Sequence, residues 1–193
     1  MRGWWLVSYV VLWALVASMF VVLLVVLRQL GLLYLRGGGA PRLEEGPPVG
    51  AIIPPFEERQ DGTGDRVAFP SEDAALSLVL FVSPDCRICE DAVRGLADVG
   101  RDFDVMMLVV SEGEPDENRP LRELVDGHAG FATSSTRQRI LRVQTHPYGV
   151  VTDRNGVVLD KGVVNGPRDL EVLIQQADRA SRAEAAPITE GGG

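Results

Sequence analysis

The chain has 193 residues and a formal net charge of −8, but its first 35 residues differ sharply in composition from the rest. Residues 1–50 carry a net charge of +2, and the remaining residues carry −10. An acidic domain without a basic run excludes proteins that bind nucleic acid or anionic lipid head groups through clustered Lys and Arg. The roughly 140 residues outside the apolar segment and its flank leave room for one ordinary domain.

The first predicted element is a membrane-spanning helix. The 24 residues from Trp4 to Leu27 are apolar except for Ser8, Tyr9 and Ser18. A helix of this length would extend about 36 Å, enough to cross a hydrocarbon core of about 30 Å. The run is longer than the core of a secretory signal and shows no small-residue cleavage site. We therefore expect an uncleaved anchor with its flank over residues 1–35, and neither a signal peptide nor a buried helix.

The next segment is predicted to be a linker. Residues 36–48 are rich in Gly and Pro and show no apolar periodicity, which is typical of a tether. We expect the folded domain to occupy residues 49–181. Residues 182–193 contain Pro187 and end in three glycines, so this segment is predicted to be a disordered tail.

Within the domain, strand patterns alternate with helix patterns. Continuous apolar runs at 76–82 and 104–110 are typical of strands buried on both faces. A β-hairpin is predicted from two β-rich runs, 148–152 and 157–161, joined through Asn155-Gly156. Helical patterns occupy four further segments, at 91–99, 118–125, 137–142 and 168–180. This order of elements predicts an α/β domain with a mixed sheet.

The only two cysteines, Cys86 and Cys89, form a C-x-x-C motif directly after a buried strand and at the start of a helix. In that context the motif indicates redox chemistry. A thiol at a helix N-terminus meets unpaired backbone N–H groups, which favour its thiolate. The second thiol, one turn later, can attack a mixed disulfide formed by the first. We therefore expect Cys86 to be the attacking thiol and Cys89 the resolving thiol.

Two other interpretations of the cysteines stay open. A structural zinc site would need two more ligands, and the only histidines, His128 and His146, lie in unrelated contexts, so we expect no metal. The other interpretation is a pair of buried, inert cysteines. Their joint occurrence in one C-x-x-C at a strand-to-helix junction favours the redox interpretation.

Several segments match the pattern of a known family. They are the end of the anchor at 28–31, the domain start at 49–56, FVSPDCRIC at 81–89, THPYGVVTD at 145–153 and GVVLDKG at 156–162. Together they resemble the membrane-anchored branch of the thioredoxin-like family, namely TlpA-type disulfide reductases and, more closely, methylamine-utilisation accessory proteins of MauD type. The resemblance covers most of the chain.

The resemblance implies a thioredoxin-like fold, a mixed sheet flanked by helices, in which a cis proline faces the dithiol. That position falls on Pro147, and His146 before it would offer backbone groups to a bound substrate chain. Two features depart from the family pattern. The residues between the cysteines are Arg87-Ile88, without the proline that many relatives have in or just after the motif, and thioredoxin's buried acid would fall near Leu80.

The dithiol and the resemblance together predict a membrane-tethered thiol-disulfide oxidoreductase that acts on a protein client, such as an enzyme whose maturation it serves. The expected partners are this client and an upstream membrane electron donor, and no cofactor is expected. Two other classes stay open. One is a copper-handling protein, although such proteins usually space their cysteines C-x-x-x-C. The other is a non-catalytic module in which the disulfide is a structural link.

Two signals conflict over the side of the membrane on which the domain lies. Only Arg2 precedes the apolar run, whereas Arg28, Arg36 and Arg42 follow it, so the positive-inside rule favours a cytoplasmic domain. A disulfide cycle is more natural in an oxidising compartment. We give the cysteines more weight and expect the domain on the extracytoplasmic side.

Overall fold

A computed structural model describes residues 2–36, 45–125 and 127–185. The chain divides into two compact units, residues 1–38 and residues 39–193. The first unit contains one helix, α1 (Arg2–Arg36), and its segment Gly3–Val25 is long and apolar enough to cross a membrane. The predicted linker positions 37–44 and tail positions 186–193 lie outside the described residues.

The second unit combines strands and helices in alternation. Its strands are β1 (Phe56–Arg59), β2 (Arg66–Phe69), β3 (Leu76–Val82), β4 (Val105–Ser111), β5 (Gly130–Thr133), β6 (Tyr148–Asp153) and β7 (Val158–Val163). Its helices are α2 (Arg87–Arg94), α3 (Leu96–Asp102), α4 (Arg119–Val125), α5 (Ser135–Leu141) and α6 (Pro167–Ala185).

Five of these strands form one mixed sheet in the order β5-β4-β3-β6-β7. The central strand β3 pairs in parallel with β4 and antiparallel with β6, and β6 and β7 form the predicted hairpin. Helices connect the parallel strands, because a parallel pair needs a crossover that a tight turn cannot provide. The predicted α/β class with a mixed sheet flanked by helices is confirmed.

All seven residues of β3 are buried, and its six apolar side chains divide between two hydrophobic clusters on the two faces of the sheet. Leu80 belongs to the cluster that includes residues of α2, α3, α4 and α6. Phe81 belongs to the second cluster, which includes Phe56 and Phe69 from the β1–β2 pair. This double coverage explains why β3 is a continuous apolar run rather than an alternating one.

The helix predicted over 91–99 is in fact two helices, α2 and α3. Gly95 separates them, and a Cβ atom there would lie 2.9 Å from the Cα atom of Pro167, at the start of α6. This close approach between backbones explains the glycine. The first helix also begins earlier than predicted, because Cys86 caps its N-terminus.

Three strands were not predicted. β1, β2 and β5 have four residues each, too few for an alternating pattern to stand out from the neighbouring loops. At the other end of the domain, α6 continues to Ala185, four residues into the predicted tail.

Candidate active site

The cysteine motif forms the first turn of α2. Cys86 is the N-cap residue, and its Sγ atom accepts a hydrogen bond from the backbone N–H of Cys89 at 3.2 Å. The two sulfur atoms are joined by a disulfide bond, and the Cα atoms are 5.2 Å apart. The sulfur of Cys86 thus takes the place of the oxygen that commonly accepts this hydrogen bond at an N-cap.

The two cysteines differ in exposure. Cys89 is fully buried within the helix-side cluster of the core, whereas Cys86 is half-buried at its margin. Asp85, Arg87 and Ile88 around them are exposed. In this disulfide state an incoming thiol therefore has a route to Cys86 but not to Cys89.

The register of the sheet brings His146 and Pro147 to the edge at which the dithiol lies. Cys86 follows shortly after the end of β3. The antiparallel strand β6 begins beside that end, where Tyr148 pairs with Phe81, so the two residues preceding β6 lie at the same edge. The parallel strand β4 also ends there, together with the loop that follows it.

The His146–Pro147 peptide bond is cis, as predicted. The side chain of His146 is 13% exposed, and its Nδ1 atom lies 3.8 Å from Oε1 of Glu112, in the loop after β4. Its Nε2 atom is buried and has no hydrogen-bond partner within the described part of the chain. Burial lowers the pKa of His146 and outweighs the carboxylates of Glu112 and Glu45, which act to raise it. Burial therefore favours neutral His146.

The backbone of His146 makes no hydrogen bond to any other described residue, whereas its neighbours are bonded. The N–H of Thr145 donates to Glu45, and the C=O of Pro147 accepts from Val164 at 3.0 Å. One unpaired residue between two paired ones is a suitable place for an additional extended chain to bond.

Asn118 holds the loop that carries Glu112. It is fully buried; its Nδ2 donates to the C=O of Glu112 at 2.7 Å and its Oδ1 accepts from the hydroxyl of Ser111 at 2.6 Å. The same loop lies against the residue that begins the dithiol turn, since a Cβ at Gly113 would be 3.1 Å from Cγ of Pro84. The sequence shows no signal for this role, because an Asn at the start of a helical pattern is commonplace.

Glu45 also reaches this site, although it falls in the predicted linker. Its carboxylate accepts hydrogen bonds from the backbone of Gln144 and Thr145, directly before His146. This end of the predicted linker therefore lies on the folded domain. Glu45 was missed because an acid followed by Gly-Pro-Pro is typical of a tether.

A metal site was one of the alternatives for the dithiol. Across residues 2–36, 45–125 and 127–185, no group of three or more His, Cys, Asp or Glu residues could hold a metal ion. His128 is exposed and follows α4. The position of thioredoxin's buried acid is occupied by Leu80, which is fully buried with Cys89 in the same cluster.

The fold and the disulfide together define a thioredoxin-like redox protein. A candidate DsbE-type thiol:disulfide interchange protein from Chlorobium tepidum has a TM-score of 0.59 at 21% identity, over 69% of this chain and 98% of that one. The thioredoxin domain of a thiol-disulfide oxidoreductase from Bacteroides vulgatus has a TM-score of 0.53 at 14% identity, over 65% and 97%. At these identities the likeness concerns the fold.

Sequence similarity identifies the family more narrowly. Methylamine utilization protein MauD from Methylorubrum extorquens is 32% identical over 180 residues, which cover 91% of this chain and 87% of the relative. The chain belongs to the MauD family. The alignment is too long to be confined to the second unit, so it extends into both. No family model matches the chain. The resemblance inferred from the dithiol and His-Pro segments is confirmed.

Proposed function

We propose that this protein is a membrane-tethered thiol-disulfide oxidoreductase that acts on disulfides of a protein client. The observation that carries the proposal is the asymmetric pair at the N-terminus of α2, with Cys86 accessible and Cys89 fully buried. An accessible sulfur at a helix N-terminus is suited to attack, and a buried partner one turn away is suited to resolve the intermediate.

The proposed reaction begins with the reduced dithiol. The thiolate of Cys86 attacks one sulfur of a client disulfide, the client S–S bond breaks, and one client thiolate leaves. Cys89 then gives up its proton and attacks the sulfur of Cys86, which releases the second client thiol and forms the Cys86–Cys89 disulfide. The client gains two electrons and the protein loses two, so a membrane electron donor must reduce the disulfide before the next cycle.

His146 and Pro147 are proposed to bind the client. Pro147 has no N–H, and the backbone of His146 has no partner among the described residues, so an extended client segment can pair beside the disulfide. The relatives' name refers to methylamine utilization. We therefore propose a client enzyme of that process that depends on this protein for the reduction of its disulfides.

Replacing the resolving cysteine tests the dithiol mechanism directly. In the full chain, Cys89→Ser should accumulate a mixed disulfide between Cys86 and the client, because the resolving thiol is gone. The matched control is Cys86→Ser, which keeps the same number of thiols and should trap nothing. Non-reducing electrophoresis with identification of the bonded peptide measures both. Trapping through Cys89 instead, or no trapping by either variant, would contradict the proposed roles.

The anchor is proposed to be Gly3–Val25 of α1, with the dithiol domain on the extracytoplasmic side. Oxidation of a dithiol is favoured in that compartment. Reporter fusions at the C-terminus test the orientation: a reporter active only after export should be active, and one active only in the cytoplasm should be silent. The opposite result would place the domain in the cytoplasm.

A further inference from the structure

Glu45 holds the loop that leads into the His146–Pro147 bond. Its Oε1 atom accepts hydrogen bonds from the backbone N–H groups of Gln144 and Thr145, the latter at 2.6 Å. Its Oε2 atom accepts a hydrogen bond from the hydroxyl of Thr145 at 2.7 Å. One carboxylate therefore fixes both backbone amides that precede His146.

The backbone of Glu45 and Gly46 also makes hydrogen bonds, including one to Tyr148, which follows the cis bond. The C=O of Glu45 accepts from the hydroxyl of Tyr148 at 2.6 Å and from Nζ of Lys161 at 2.5 Å. The N–H of Gly46 donates to the C=O of Arg142 at 3.2 Å. His146 and Pro147 thus lie between two positions, 145 and 148, that are both bonded to Glu45.

The segment can approach this closely because position 46 is glycine. Gly46 has φ +72°, and a Cβ atom there would lie 3.0 Å from Cε1 of Tyr148. The side chain of Tyr148 is fully buried and cannot move aside. Both the left-handed backbone and the contact with the ring therefore favour glycine.

Glu45 makes these contacts as a carboxylate. Burial acts to raise its pKa, but the hydrogen bonds from Gln144 and Thr145, together with the charge that His146 gains when it is protonated at low pH, outweigh burial and hold the pKa below the ordinary 4.5. An ionised acceptor makes shorter and stronger hydrogen bonds to backbone N–H groups than a neutral one. Residues 143–147 themselves form neither helix nor strand, so these side-chain contacts take the place of a regular ladder.

We propose that Glu45 is a positioning residue for the client. It holds residues 144–145 so that the unpaired backbone of His146 stays in register with an extended client segment that crosses the dithiol. The inference rests on the proposed function, because it assigns to Glu45 a part in client pairing. Glu45 acts through the loop and takes no part in the exchange of sulfur bonds.

Two disulfide substrates with the same leaving group separate positioning from chemistry. One is a short unstructured peptide whose single cysteine carries a 2-nitro-5-thiobenzoate group, and the other is the symmetric aromatic disulfide of that thiol. The reduced full chain in detergent is the reagent. The thiolate of Cys86 attacks the peptide sulfur, and the nitrothiobenzoate, the better leaving group, departs with the bonding electrons. Cys89 then closes the protein disulfide and releases the peptide thiol.

The variants are Glu45→Ala, the conservative Glu45→Asp, and the control Glu58→Gln. Glu58 pairs with Arg137 and is 15% exposed. The control therefore also removes a partly buried, paired carboxylate, but one that makes no hydrogen bond or ion pair with the described loop before Pro147. We expect Glu45→Ala to raise the peptide concentration that half-saturates the single-turnover rate about tenfold, the equivalent of one hydrogen bond to a charged group. The small disulfide, which forms no strand, should react at the wild-type rate with every variant, and Glu45→Asp should restore part of the peptide effect.

Hydrogen exchange of the 142–148 segment tests the positioning without any reaction. Glu45→Ala should speed exchange there, while Glu58→Gln should not. Equal losses for both substrates, an unchanged half-saturating peptide concentration, or unchanged exchange at 142–148 would each overturn the inference. If the wild type reacts with neither substrate, the proposed function fails, and the exchange result alone then decides whether Glu45 positions the loop.

Discussion

The two sides of the candidate site are held in different ways. On one side, Cys86 and Cys89 are placed by the first turn of α2, a regular helix whose backbone sets their spacing. On the other side, the loop before Pro147 has no regular structure and is held by the carboxylate of Glu45, 100 residues away from Thr145 in the sequence. The dithiol side is thus specified by a few consecutive residues, and the loop side by distant ones.

This difference determines which perturbations each side should feel. The helix turn depends on backbone hydrogen bonds and on burial of Cys89. Backbone groups and disulfide-bonded cysteines do not titrate, so these contacts should not change with pH near neutrality. The loop side contains Glu45, His146 and Glu112, whose charges interact. Changes of charge, pH or side-chain contact should therefore act first on the loop side.

The largest effect on this comparison is expected from Gly46→Ala. An alanine at this position would have to adopt φ +72°, which is strained for a residue with a Cβ atom, and its Cβ would press on the ring of Tyr148. We therefore expect a loss of about 3 kcal/mol in the free energy of unfolding. Gly50→Ala is the matched control, because Gly50 has φ +84° but nothing within 4 Å of the added atom. Denaturant unfolding of the full chain in detergent, followed by circular dichroism, measures both. Equal losses would mean that the segment at Gly46 does not lie on the Tyr148 ring.

A smaller effect is expected from Asn118→Ala, which removes the side chain that holds the loop after β4. The C=O of Glu112 would lose one of its two donors, and the buried hydroxyl of Ser111 would lose Oδ1 of Asn118 as its acceptor, so we expect a loss of about 2 kcal/mol in the same unfolding measurement. Asn165→Ala is the control: Asn165 also donates through Nδ2, to Asp169, but is exposed, so its loss should stay below about 0.5 kcal/mol. A comparable loss for both variants would contradict the prediction that the buried hydrogen bonds of Asn118 contribute more stability than the exposed one of Asn165.

The smallest effect concerns the pKa of His146. Because the carboxylate of Glu112 acts to raise this pKa, Glu112→Gln should lower it further below 6.5, as followed by NMR titration of the imidazole. The control is Glu114→Gln in the same loop, which should shift it less. A rise in the pKa of His146 after Glu112→Gln would show that the carboxylate of Glu112 does not act to raise this pKa.

The lowered pKa of His146 should also make the free energy of unfolding depend on pH. With its native pKa below 6.5, neutral His146 contributes stability above pH 6.5 and loses it as the pH falls from 6.5 through the native pKa, since the unfolded chain binds the proton more readily. Glu112→Gln should therefore steepen the loss of stability just below pH 6.5. Glu45 follows in a separate window, because its depressed pKa makes its contribution disappear only as the pH falls below 4.5.

Most of what the sequence analysis obtained correctly depends on neighbouring residues. The buried strand β3, the C-x-x-C at the start of a helix and the Asn-Gly hairpin each carry their signal within a short window. The cis bond before Pro147 was expected from a resemblance and not from the local pattern. The break at Gly95 was missed because its cause, the approach of Pro167, lies more than seventy residues further along the chain.

The order of amino acids was enough to establish an apolar helix long enough to span a membrane, an α/β domain and a dithiol, because each depends on periodicity or on spacing along the chain. Which residues lie beside the dithiol at that edge of the sheet was decided by strand register. The register pairs Phe81 with Tyr148, nearly seventy residues apart, and so brings His146 and Pro147 to the same edge. The roles of Glu45 and Asn118 depended on it too, because a hydrogen bond between distant residues leaves no periodic trace in the sequence. From the sequence alone, polar residues that bond to a distant backbone group cannot be told from those that face water. Only the tertiary structure distinguishes them.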